Sequence, residues 1–410
     1  MFSRRENIGA NPRVFSASPV LPLAAALCGE AAHYSMKPLV PVFLLSLVAA
    51  ALVAAEPAPA PAPAPRRVIQ KTSVGSPEIQ DGAVTFRLVA ASAQKVFVVG
   101  DVPGGRVPMT RGDEGVWAAR VEGLKPGIWE YGFEVDGLRM IDPANSAIKP
   151  MRSPRSSILH LPANPPAWFD LQPVPHGVVH LHTYVSRALG RVRPLVVYTP
   201  PGYEAADAKR YPTLYLQHGS GDNEATWTTH GKAHWILDNL IAAGRARPMV
   251  IVMMDGHAVP RSGPENIAAF GRDLLEEVMP FVESTYRVVS DANHRALVGL
   301  SMGGGQSLTV GLTHLDRFAW VGAFSAGGPD RAAITPALAD VAAANARLKL
   351  LWIACGRSDG VVGGRSEEFV AWLRAQGIHH EWTLTAGGHH WPVWRDYLAD
   401  LAPRLFVGVE

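Results

Sequence analysis

Two hydrophobic rhythms divide the chain. From residue 76 to residue 163, short runs alternate apolar and polar positions with period two: 84–88 (VTFRL), 95–99, 115–121 (GVWAARV) and 129–135 (WEYGFEV). Gly, Pro and Asp punctuate them about every ten residues, and Asp136-Gly137 supplies a hairpin turn, so this region predicts a small antiparallel sandwich. Residues 164–176, opened by Pro165-Pro166, read as a linker. From 177 to 410 the rhythm changes to continuous apolar runs at 213–216, 249–254, 296–300, 320–324 and 348–354, with a last strand at 381–385. Helical spacing fills the gaps at 234–243, 271–286, 304–312, 367–376 and 392–401, and 178–185 with 194–199 forms an antiparallel pair in front. Buried strands alternating with helices predict a doubly wound, mostly parallel α/β sheet. No internal repeat is evident.

The first 75 residues follow neither rhythm. Residues 1–35 are polar and irregular, and we read them as untranslated or unstructured. From Met36 the chain runs MKPLVPVFLLSLVAAALVAAE: one lysine, about 17 apolar residues, then small residues before Glu56. This predicts a signal peptide over 36–55, with translation starting at Met36. The stretch is short for a retained membrane anchor, and no cysteine follows it to carry a lipid. Residues 56–75 are a Pro/Ala-rich linker suited to extended polyproline geometry. The expected mature protein is secreted or periplasmic and not membrane-bound.

Composition narrows the chemistry. A net charge of +2 over 410 residues leaves no footprint for nucleic acid. Removing the leader takes Cys28 away and leaves Cys355 alone inside an apolar run, a buried hydrophobe with no disulfide partner. No H-E-x-x-H, P-loop or dinucleotide fingerprint occurs, so neither a metal nor a cofactor is expected.

The chemistry-bearing stretch is residues 294–311, HRALVGLSMGGGQSLTVG. A buried strand runs into Gly299-Leu300-Ser301-Met302-Gly303 and straight on into a helix, the pattern of a nucleophile elbow. The sharp turn would expose Ser301 Oγ at the carboxyl edge of the sheet and aim the Met302 N–H at a developing oxyanion. A second match, Gly356-Arg357-Ser358-Asp359-Gly360, is followed by a loose loop instead of a helix. It stands where a triad acid belongs, so Asp359 is its candidate residue, favoured over Asp330. A histidine should follow the acid in chain order; His389 and His390 lie in a Gly-Gly loop between the last strand and the last helix. Successive residues of an extended loop point apart, so only one of them can face Ser301. The loop after 213–216 supplies the second oxyanion donor, the Ser220 N–H. His218, just before it, has no partners at metal-ligand spacing and suits a structural hydrogen bond.

The stretch GVWAARVEGLKPGIWEYGFEVDGLRMIDPAN resembles the early-set, immunoglobulin-like domains of glycogen-branching enzymes and some esterases, a glycogen-binding type of β-sandwich. That resemblance implies carbohydrate contact. Trp117, Trp129 and Tyr131 are the stacking candidates, although parity with Phe133 favours core packing for at least two of the three. From 174 to 404 the chain resembles carbohydrate esterase family 1 and the esterase D-like proteins, the group that includes feruloyl esterases. YTPPGYE, YPTLYLQHG, AHWILDNLI, FGRDLLEEVMPFVESTYRV, RALVGLSMGGGQSL, GAFSAG, ACGRSD and GGHHWPVWR carry it. The resemblance implies an α/β-hydrolase fold with Ser301 as nucleophile, Asp359 as acid and His389 as base, through the pattern Gly-Gly-His-x-Trp. Trp227, His390 and Trp391 become candidate substrate-binding residues, Trp227 with core packing as an equal alternative.

Together these readings describe an exported serine esterase hydrolysing acyl or feruloyl esters on plant polysaccharide. On this view the sandwich serves binding, and the catalytic domain alone should cleave small esters. The alternatives are a siderophore ester hydrolase of the enterochelin type and a carbohydrate-binding protein with a dead hydrolase domain; an intact Ser, Asp and His argue against the second.

Overall fold

The computed structural model describes residues 74–204 and 208–409. The expectations for residues 1–35, 36–55 and the spacer up to residue 73 lie outside the described residues.

Alternation builds the first domain. Its strands are β1 (Glu78–Gln80), β2 (Ala83–Val89), β3 (Val96–Gly100), β4 (Arg106–Pro108), β5 (Thr110–Arg111), β6 (Val116–Glu122), β7 (Gly127–Val135), β8 (Leu138–Met140) and β9 (Ser157–Leu161). One antiparallel sheet runs β1-β2-β6-β5; the other runs β4-β3-β7-β8, with β9 paired to β7. Phe86, Leu88, Val98, Tyr131 and Phe133 turn inward and fill the space between the sheets. Trp117 and Tyr131 are buried in this core. Trp129, on the same face of β7 as Tyr131, is only partly buried, and its indole N–H donates to the Lys125 carbonyl (2.9 Å).

The second domain holds β10 (Val178–Ser186), β11 (Arg191–Thr199), β12 (Thr213–Gln217), β13 (Val250–Met254), β14 (Arg295–Leu300), β15 (Trp320–Phe324), β16 (Leu350–Gly356) and β17 (Glu381–Thr385). They form one sheet in the order β10-β11-β13-β12-β14-β15-β16-β17. β10 and β11 pair antiparallel, β11 meets β13 antiparallel, and all later pairings are parallel. Helices α1 (Thr226–Thr229), α2 (Ala233–Ala242), α3 (Pro264–Arg272), α4 (Met279–Thr285), α5 (Met302–Thr313), α6 (Arg331–Ile334), α7 (Val341–Arg347), α8 (Gly363–Ala375) and α9 (Trp391–Leu401) cover both faces. This is why the strands read as unbroken apolar runs. Along β14, Ala296, Val298 and Leu300 enter the core under α2 and α9, while Leu297 enters the core under α3 and α4.

The single helix expected over 271–286 is replaced by α3, a π-helical segment at Asp273–Val278, and α4. Pro280 has no N–H for the ladder, and its ring crowds the carbonyl one turn back, so the register widens ahead of it. The widened turn also carries Asp273, wholly buried, which accepts from Tyr184 Oη (2.7 Å) and lies 3.4 Å from Arg193 Nε. α1, α6 and α7 have too few turns to show a helical period. The caps of the last two are legible: Asp330 accepts from the Ala332 N–H and Asp340 from the Ala343 N–H (3.0 Å each).

Candidate active site

Ser301 sits between β14 and α5 with φ +51° and ψ −114°, a backbone region that side-chain-bearing residues seldom occupy. The turn closes because its neighbours carry no Cβ. One on Gly299 would meet the Gly303 backbone at 2.4 Å, and one on Gly303 would meet the His218 carbonyl at 2.4 Å. The Ser301 N–H donates to the Phe324 carbonyl (2.8 Å), tying the elbow to β15.

The structure brings Ser301, His389 and Asp359 into one line. Ser301 Oγ is 2.9 Å from His389 Nε2, and His389 Nδ1 is 2.9 Å from Asp359 Oδ2. Asp359 is buried, and its other oxygen accepts from the Val361 and Val362 N–H groups (3.0 Å each). Burial by itself would raise this carboxyl. The hydrogen bond from His389 and the backbone donor at Val362 outweigh it and hold the carboxyl below its usual value, so it stays ionised. The His389 ring stands edge-on to Trp394 (5.1 Å, 88°), which limits its rotation. His390 takes the other direction: it is exposed, and its Nε2 accepts from the Gly388 N–H (3.0 Å). Asp330 caps α6 instead, and Ser358 is exposed at the surface.

The Ser220 and Met302 N–H groups donate to no protein acceptor among the described residues. Met302 follows Ser301 in the chain, and Ser220 lines the cleft with Ser301. His218 is buried, with Nδ1 2.7 Å from the Gly219 carbonyl and Nε2 accepting from the Gly256 N–H (2.8 Å). Its position is structural.

Of the two readings of Trp227, substrate contact and core packing, its burial fits the second. It is 1% exposed and lies beneath the cleft, its indole N–H donating to the Gln217 carbonyl (3.0 Å) and its ring packed edge-on against Trp391 (5.0 Å). Trp391 shields it from the cleft, so it supports the wall without forming it. Trp391 and His390 do line the cleft.

That cleft, about 920 Å³, is shared between the domains: Val102, Leu124 and Trp129 of the sandwich face Ser301, His389 and Trp391. A charged cluster at the seam escaped the sequence reading. Glu130 of β7 accepts from Lys149 Nζ (2.8 Å) and from Ser156 Oγ (2.9 Å), and lies 3.3 Å from His230 Nε2; Lys149 also lies 3.5 Å from Asp222. Burial would raise the Glu130 carboxyl, but the His230 hydrogen bond and the Lys149 charge bring it down to about 2. Glu130, Lys149 and Ser156 come from the sandwich and Asp222 and His230 from the second domain, so no local spacing announces the cluster. Among the described residues no group of His, Cys, Asp or Glu is placed to hold a metal ion, and no helix is long and apolar enough to cross a membrane.

With this geometry in hand, residues 186–405 match a family described as "Putative esterase", and residues 73–151 match carbohydrate-binding module 48, the isoamylase N-terminal domain. The chain belongs to this esterase family. Among the chain's relatives, an endo-1,4-beta-xylanase/feruloyl esterase from Xylanibacter ruminicola is 30% identical over 337 residues, covering 80% of this chain and 45% of that protein. The chain thus spans under half the length of that relative. A CE1 ferulic acid esterase from Anaeromyces mucronatus superposes with a TM-score of 0.51 at 25% identity, over 59% of this chain and 95% of that one. An enterobactin esterase from Shigella flexneri gives 0.57 at 19% identity, over 80% and 94%, a likeness of fold that extends through both domains.

Proposed function

We propose that the protein is an exported serine esterase that hydrolyses acyl or feruloyl esters attached to plant polysaccharide. One observation carries the reading: an elbow serine hydrogen-bonded to a histidine that is hydrogen-bonded to a buried carboxylate, with the serine and the histidine opening into the two-domain cleft. His389 Nε2 takes the Ser301 proton as Oγ attacks the ester carbonyl carbon. Asp359 holds the tautomer and orientation that this requires and stabilises the imidazolium. The carbonyl oxygen becomes an oxyanion facing the Met302 and Ser220 N–H groups. The tetrahedral intermediate then collapses. The alcohol leaves with the proton from His389 Nε2, and an acyl group remains on Ser301 Oγ. Water, deprotonated by His389, attacks this acyl-enzyme and releases the acid.

The substrate class is supported by the feruloyl esterase relatives and by a cleft in which the partly exposed Trp129 offers apolar surface beside hydrogen-bonding groups. Assays on methyl ferulate, acetylated xylan, feruloylated arabinoxylan, short nitrophenyl esters and a catecholate siderophore ester test it. Turnover of feruloyl or acetyl esters is expected; turnover confined to catecholate siderophore esters would overturn the substrate assignment.

Export follows from the apolar stretch after Met36. Intact mass of the exported protein is expected to place its first residue near Glu56, and a product still carrying residues 1–35 would overturn both the start and the cleavage site.

A further inference from the structure

The loop Gly219–Asp222 lies against the nucleophile: a Cβ on Gly219 would sit 3.4 Å from that of Ser301 and 2.6 Å from Leu300 Cδ1. Within itself the loop makes a single backbone bond, from the Asp222 N–H to the Gly219 carbonyl (3.3 Å). Its other anchors come from outside. On one side is a strap, residues 149–152, in the sandwich's own connection between β8 and β9. The Arg152 N–H donates to the Gly221 carbonyl (3.0 Å), Met151 pairs antiparallel with Asp222, and Lys149 bridges Asp222 to Glu130 of β7. Thr226 Oγ1, just beyond the loop, donates to the Pro150 carbonyl (2.7 Å) and fixes the strap in turn. On the other side, His257 Nε2 accepts from the Gly221 N–H (3.1 Å). His257 is buried, and burial brings its pKa down to about 4, so at neutral pH the ring keeps the lone pair this bond needs.

Gly221 is therefore gripped at both its N–H and its carbonyl, one residue from the candidate oxyanion donor. We propose that the strap and His257 act as a two-sided clamp on the oxyanion-hole loop, which makes the β-sandwich a positioning element for the chemistry as well as a wall of the cleft. The proposal rests on the serine esterase reading. The oxyanion hole works only if its donors are already in place when charge develops, and a shift of about 1 Å costs on the order of 10²-fold in rate. Lys149 and His257 are positioning residues, acting through Gly221 and Asp222. The clamp also alters the expected division of labour, because the esterase domain without the sandwich would lack half of it.

The test uses the full-length protein and two esters of different acyl group, nitrophenyl acetate and methyl ferulate. Turnover by the wild type that is lost in Ser301→Ala establishes the esterase reading independently; its absence would count against that reading and not against the clamp. His257→Leu removes the acceptor, whereas His257→Gln places an oxygen where Nε2 stood. Lys149→Met keeps the apolar stem and removes the charge. For His257→Leu, kcat is expected to fall 10- to 100-fold on both esters alike, with KM within about threefold, since every ester forms the same oxyanion. His257→Gln should recover most of this, and Lys149→Met should lose about tenfold because the backbone strap remains. The clamp is overturned by a loss that appears in KM or with one ester only, by His257→Gln as slow as His257→Leu, or by unchanged kcat in folded His257→Leu. If His257→Leu does not fold, unchanged kcat in Lys149→Met overturns it.

Discussion

Ser301→Ala is expected to lose ester turnover by a factor on the order of 10⁶, with the fold intact, leaving only what the oxyanion donors and substrate binding supply. The same position offers a second reading through stability. Ser301 is held at φ +51° because Gly299 and Gly303 let the strand and helix crowd together around it. Strain of this kind costs about 1–3 kcal/mol, and alanine inherits it unchanged. Glycine relieves it, at an entropic cost of about 0.5–1 kcal/mol in the unfolded chain. Ser301→Gly should therefore be inactive yet more stable than Ser301→Ala by about 1 kcal/mol, read as a higher urea midpoint at equal slope. Equal midpoints would mean that the elbow stores no strain.

Legibility in the sequence tracked how local each feature's cause is. β12 to β16 were readable because a strand buried on both faces must be apolar at every position, and β2, β6 and β7 because one face meets the core and the other does not. Ser301 was readable because an elbow needs small residues at fixed offsets from the serine. Asp359 and His389 were readable as places, a strand end and a glycine loop, that fold order assigns to an acid and a base. The break at Asp273–Val278 was signalled by Pro280, but an apolar period that continued across it masked the signal. Trp227 has a tryptophan's size and sits in α1, a helix too short to show a period, and neither tells a wall from its support. The Glu130–Lys149–Asp222–His230 cluster was not legible at all. Each of these residues looks like an ordinary surface polar group in its own segment, and only the docking of two domains buries them together.

His389→Ala and His390→Ala should differ by several orders of magnitude although the residues are neighbours. The Gly387-Gly388 turn sends the two rings to different partners. His389 reaches Ser301 Oγ and Asp359 Oδ2, while His390 folds back on the Gly388 N–H at the surface. Without His389 nothing takes the Ser301 proton at the geometry that attack requires, and the expected loss in kcat is on the order of 10⁴–10⁶. Without His390 the Gly388 N–H is exposed and can turn to water, so the loop keeps its shape. Its variant should stay within about tenfold of wild type, a change of no more than ~1.4 kcal/mol in the barrier. His389→Ala should also leave the thermal midpoint close to wild type, because its ring is partly exposed and Asp359 retains its two backbone donors. Steady-state kinetics on a nitrophenyl ester, with thermal unfolding of each variant, measures both quantities. If the two variants exchange behaviours, His390 is the base and the serine esterase reading stands. If neither loses activity, proton transfer does not run through this loop, and the Ser301–His389–Asp359 relay is wrong.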